Sequence, residues 1–160
     1  MSIPKIISVD DHVVEPPDLW TARLPSRYQD RGPRIIRERG KMGGPIGMQW
    51  IPDADGDWAD LWDYDDLVSP VSRLSAAVGM GDLGFATTTF DEIRPGCWKQ
   101  KERLADMDLN HMDVSICFPN TLPRFCGQTF MEREDKELAL LCVQASVSYT
   151  HLTLPTKCRK

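Results

Sequence analysis

The sequence predicts an α/β domain built on a parallel sheet, and three stretches predict it. The β-branched run Ile6-Ile7-Ser8-Val9, closed downstream by Pro16-Pro17, favours a short buried strand. Lys99 to Asn110 is charged, with Leu104, Ala105 and Met107 offset from Trp98, as in an amphipathic helix; Asp113 to Pro119 follows as an apolar strand stopped by proline. Leu138, Leu141, Cys142 and Ala145 then recur at i, i+3, i+4 and i+7, one helical face. Strand, long excursion, helix, strand, loop, helix is the alternation of a parallel sheet with right-handed crossovers.

The elements follow in chain order. Asp18 is a candidate N-cap for a short helix over Leu19 to Leu24, which Pro25 closes. Arg34 to Arg39 alternates weakly and leads into the turn Gly40-Lys41-Met42-Gly43-Gly44-Pro45, after which Met48 to Pro52 pairs back as an antiparallel hairpin. Asp53-Ala54-Asp55-Gly56-Asp57 has alternate aspartates, but its glycine is fourth and the twelfth position is Tyr64, so it reads as a solvated turn and not a calcium loop. Residues 58 to 97 show poor periodicity and read as an irregular excursion with short helices. Within it, Gly79-Met80-Gly81-Asp82-Leu83-Gly84 has the spacing of a dinucleotide loop but lacks a good strand before it and a helix after it, so it is rejected as a cofactor site.

Composition excludes several functions. With 160 residues and 41% hydrophobic content the chain can bury one core. Its 19 basic and 24 acidic residues give a net charge of -5, which leaves no electrostatic footprint for nucleic acid. No apolar run approaches the roughly 20 residues that cross a bilayer, and the N-terminus carries no secretory signal. Five cysteines form no C-x-x-C pair, consistent with free thiols in a reducing cytoplasm.

Chemistry concentrates at the exit of the first strand. In Val9-Asp10-Asp11-His12-Val13-Val14-Glu15, alternation places Asp10 and His12 on one face and Asp11 on the other. A carboxylate and an imidazole so placed can bind one divalent ion together, although two donors do not complete a site. The alternative is a strand-end turn in which both side chains bond nearby backbone. From Val147 the character changes: β-formers interrupt the helical face, and 147–160 reads as a non-native tail resembling translated adapter sequence. His151 therefore carries no functional weight, and the domain is expected to occupy 1–146.

Three blocks together resemble the amidohydrolase superfamily, in the branch related to aminocarboxymuconate-semialdehyde decarboxylase. They are Val9 to Trp20; Arg94-Pro95-Gly96-Cys97-Trp98 with Arg103-Leu104-Ala105-Asp106-Met107-Asp108; and Val114 to Asn120 with Pro123 to Phe130. The resemblance spans roughly residues 5 to 145 and implies the truncated N-terminal part of a (β/α)8 barrel, with a long irregular insertion after strand 1. It also implies one divalent metal, zinc by preference, with Asp10 and His12 as ligands from the first strand. Relatives often place histidine where Asp10 stands. Glu15 is either a substrate contact or a structural carboxylate, and Asn120 either binds substrate or is a turn residue. His111, at the far end of the barrel from the chemistry, reads as a structural or surface residue.

The implied activity is that of a metal-dependent hydrolase or non-oxidative decarboxylase (a carboxy-lyase) in the cytoplasm. The implied substrate is a small carboxylated or cyclic molecule, with no nucleic-acid or membrane partner, and a homo-oligomeric parent enzyme is compatible with the resemblance. Asp10 in the first ligand position tilts the reading toward decarboxylation. The family draws two further histidines and a late aspartate from later strands. None is present before the tail, so no catalytic base is assigned and the chain is expected to be an inactive N-terminal fragment. The competing reading from another class is a non-catalytic α/β module that binds partners through the Trp-rich excursion, with Trp50, Trp58, Trp62 and Trp98 as anchors.

Overall fold

A computed structural model describes residues 4–45, 47, 49–73, 86–120, 122–124 and 127–152, with side chains described as far as Tyr149. The Gly79–Gly84 stretch, Met48, Thr121, Phe125, Cys126 and everything beyond Leu152, Cys158 included, lie outside the described residues.

The first strand, β1 (Ile6–Val13), leads into two short helices, α1 (Leu19–Arg23) and α2 (Ser26–Gln29). Four strands follow: β2 (Arg34–Gly43), β3 (Gln49–Pro52), β4 (Asp57–Tyr64) and β5 (Leu67–Pro70). A 3-10 turn over Pro95–Cys97 then opens α3 (Gln100–Leu109), β6 (Met112–Pro119), α4 (Gln128–Met131) and α5 (Lys136–Leu152). Among the described residues β1 pairs in parallel with β6, while β2 to β5 form a separate antiparallel sheet in the order β3-β2-β4-β5.

This architecture corrects the expected truncated barrel. Among the described residues the parallel component is two strands, and the supposed irregular insertion after strand 1 contains the larger sheet of a small α/β domain. Its centre, β4, escaped recognition because Ala59, Asp60, Leu61, Trp62 and Tyr64 are all buried. A strand covered on both faces loses the alternation that advertises a half-exposed one. β2 and β3 form a hairpin, but through Gly40–Gly43, the residues read as its turn, with Met42 opposite Trp50; Arg34 to Gly40 pair with β4 instead. Asp53 to Asp57 forms the turn from β3 to β4, closed by the Gly56 amide donating to the Asp53 carbonyl at 3.0 Å and by the Asp55 amide on Asp53 Oδ1 at 3.1 Å.

The core lies between the antiparallel sheet and the helices. Trp20 from α1, Trp62 from β4, Phe130 from α4 and Cys142 from α5 meet with no exposure. Trp20 stands edge-on to Trp62 at 4.8 Å, and its indole Nε1 donates to the Cys142 carbonyl at 3.0 Å. Leu138, Cys142 and Ala145 on α5 are buried, and the helix runs on through Leu152, so Tyr149, in the stretch read as tail, also packs into the core. Its phenol, pushed up to about 12 by burial, stays protonated and donates to the Trp98 carbonyl at 2.7 Å. Asp18 occupies the N-cap of α1, but its side chain makes no cap hydrogen bond.

β1 is not the buried strand expected. Ile6, Ile7 and Val9 are exposed, as is Ile116 on β6.

The block Arg94 to Asp108 is a structural corner. Arg94 Nε donates to Asp106 Oδ2 at 2.9 Å, Gly96 lies so close that a Cβ would overlap the same carboxylate, and the Cys97 carbonyl accepts the Val14 amide at 2.9 Å. The guanidinium of Arg94 holds the Asp106 carboxyl below its ordinary range against an opposing effect of burial. A carboxyl with a depressed folded-state pKa binds fewer protons folded than unfolded. Its contribution is complete above the unfolded value of about 4 and is lost as pH falls through the folded one. Asp106→Asn is therefore expected to melt below the wild type at pH 7 and to converge with it toward pH 2. Melting curves that stay parallel across that range would remove the pair from any role in stability.

Candidate metal centre

The pairing of β1 with β6 shapes the site. Ser8 faces Ser115 and Asp11 faces Cys117, so Val9 and Asp10 together oppose Ile116. Two residues against one is a β-bulge, which bends a strand and re-aims its side chains. Asp10, in the bulge, and His12, just past it, share a solvent-facing side. His12 Nε2 lies 3.9 Å from Asp10 Oδ1, with the side chains 53% and 83% exposed respectively. The Phe118 ring stands 6.2 Å from the imidazole and gives it an apolar neighbour.

These two donors fit the first half of a zinc site. Ligand atoms about 2.0–2.1 Å from a tetrahedral zinc stand about 3.3 Å apart, so a small rotation of the Asp10 carboxylate brings the pair to chelating distance. Oxygen and imidazole nitrogen together suit zinc or manganese. Among the described residues no group of three or more His, Cys, Asp or Glu side chains is arranged to hold a metal. Cys97 adds no thiolate, since burial pushes its thiol up.

The other two predicted residues meet each other. Glu15 is 1% exposed, and its Oε1 accepts the Asn120 amide at 2.8 Å, joining the segments that leave β1 and β6. That contact engages the Asn120 backbone and places the carboxylate in the interior, as a buried acid requires a hydrogen-bonded partner. His111 adopts φ 55° between α3 and β6, at the opposite end of the strands from Asp10 and His12.

Sequence reasoning missed the inner face of the bulge. Ser8 Oγ donates to Asp11 Oδ1 at 2.8 Å, Ser115 Oγ donates to Asp11 Oδ2, and Arg103 Nη2 from α3 reaches Ser115 Oγ at 3.3 Å. The signal available was Asp11 itself, a carboxylate directed away from its two neighbours and in need of partners. Of the four tryptophans considered as anchors, Trp62 is in the core, Trp50 and Trp98 are half-buried, and Trp58 is exposed beneath Arg39, whose guanidinium lies 4.9 Å from the ring centre. Among the described residues no helix is long and apolar enough to cross a membrane. No protein-family model matches the chain, and no curated protein matches it.

Proposed function

We propose that Asp10 and His12 bind one divalent cation, zinc by preference, as part of an amidohydrolase-like metal-dependent hydrolase or non-oxidative decarboxylase. One observation carries this: a carboxylate and an imidazole, two residues apart at the end of a strand, share a solvent-facing side at 3.9 Å. The three sequence blocks that resemble the superfamily give the reaction class, and a small carboxylated or cyclic molecule is the substrate class they imply. When bound, the ion supplies Lewis acidity, to activate water or to hold a substrate carboxylate. His12 contributes a neutral imidazole nitrogen, and Asp10 contributes negative charge that offsets the ion's own. Glu15 Oε1 accepts the Asn120 backbone amide and so ties together the segments that leave β1 and β6. The free thiols Cys97, Cys117 and Cys142 are consistent with a reducing compartment such as the cytoplasm.

Two protein donors leave most of the coordination sphere to water, so the affinity expected of this chain is weak. Calorimetric titration with zinc chloride should show one saturable site that disappears in His12→Ala and weakens in Asp10→Ala. Uptake that is tight and indifferent to His12→Ala would refute the assignment.

A further inference from the structure

We infer that Arg103 is a positioning residue for the Asp10–His12 pair, acting through a polar staple that locks the bulge at Val9–Asp10. The inference rests on the metal reading above and extends it to the opposite face of the strand.

A bulge sets which side chains face out, and a shift of one residue in pairing exchanges the faces. Across this one, Ser8 and Asp11 both turn inward and are bonded to each other at 2.8 Å. Ser115 on the neighbouring strand donates to the second Asp11 oxygen. Arg103 closes the staple from α3: Nη2 lies 3.3 Å from Ser115 Oγ and 3.6 Å from Asp11 Oδ2, and Nη1 lies 3.5 Å from the carbonyl of His12. The Arg103 and Asp11 side chains are 17% and 20% exposed, so their attraction is screened less than that of a surface pair. One guanidinium thus touches a ligand residue's own backbone, the inward carboxylate between the two ligands, and the partner strand. Ile6, Ile7 and Val9 are exposed, so apolar packing does little to hold this end of β1, and the polar contacts set its register.

The test uses the whole chain with three substitutions: Arg103→Ala, the conservative Arg103→Lys, and Ser8→Ala, which deletes one hydroxyl from the staple. NMR in zinc-free protein reads amide exchange at Asp10 and His12. Zinc titration reads the Asp10 carboxyl carbon and the His12 ring nitrogens. In the wild type both side chains should shift on adding zinc. In Arg103→Ala, affinity should fall about 10–100-fold, as for other groups that orient ligands. The His12 signal alone should then respond, and Arg103→Lys should recover part of the affinity. A merely structural role would lower the melting temperature without separating the two ligand signals. Wild-type affinity in Arg103→Ala with both signals moving would overturn the inference. If the wild type fails to respond to zinc at His12, the metal reading falls; faster amide exchange at Asp10 and His12 in Arg103→Ala and Ser8→Ala would then still support the staple, and unchanged exchange would overturn it.

Discussion

Replacing Asp60 with alanine is expected to destabilise the protein by about 3 kcal/mol, toward the lower end of the about 3–5 kcal/mol typical of a broken buried ion pair. Asp60 is 1% exposed at the middle of β4. Its carboxylate accepts Arg37 Nε at 2.7 Å and Nη2 at 3.0 Å, a bidentate pair across the strand ladder, and the Phe90 amide at 2.7 Å. Alanine leaves that amide without its acceptor in a buried place, which is the larger part of the cost. Arg37 loses less, because its side chain is 44% exposed and retains Asp91 at 2.7 Å. Asp60→Asn, which preserves an acceptor for Phe90, should fall between alanine and wild type. Urea unfolding at constant slope measures both, and a loss under about 1 kcal/mol in Asp60→Ala would show that the carboxylate's desolvation cancels its bonds.

Trp20→Ala should cost about 3–5 kcal/mol, the range for emptying a large aromatic site in a core. Trp20 has no exposure and meets Trp62 at 4.8 Å and Phe130 at 5.8 Å, both edge-on, so its removal opens a cavity bounded by rings that cannot collapse freely. It also frees the Cys142 carbonyl, which accepts its indole. The melting temperature should fall by about 6–20 °C, from the usual about 2–4 °C per kcal/mol for a domain of this size. Trp20→Phe, which keeps the ring packing and loses the hydrogen bond, should recover much of that. A fall as deep in Trp20→Phe as in Trp20→Ala would place the energy in the indole bond to α5 and not in the aromatic contacts.

Where the sequence carried a period, it was legible. α3 and α5 each present one covered side, and on α5 the spacing of Leu138, Cys142 and Ala145 announces it; β6, expected to be buried, is half-buried along its length with Ile116 exposed. The shared face of Asp10 and His12 followed from strand alternation. The antiparallel sheet was hidden because β4 places Asp60 among Ala59, Leu61 and Trp62, all buried, and the lone acid breaks the apolar run that would mark a doubly covered strand. Its partner Arg37 lies on another strand, 23 positions away, where no local pattern can reveal the match. The bulge was equally invisible, since it depends on the register of β6 against β1. Likewise Ile6 and Ile7 look like core residues, yet the structure leaves both exposed.

The pairing of β1 with β6 also has a kinetic side. Lys5 and Asp113, which flank it with an ion pair at 3.0 Å, are 108 positions apart along the chain. Strands β2 to β5, by contrast, hydrogen-bond to near neighbours in sequence. Loop-closure entropy makes such a distant contact slow to form, whereas short hairpins close early. The bulge that orients the residues proposed to hold the ion would therefore form late in folding, once the antiparallel sheet had already condensed.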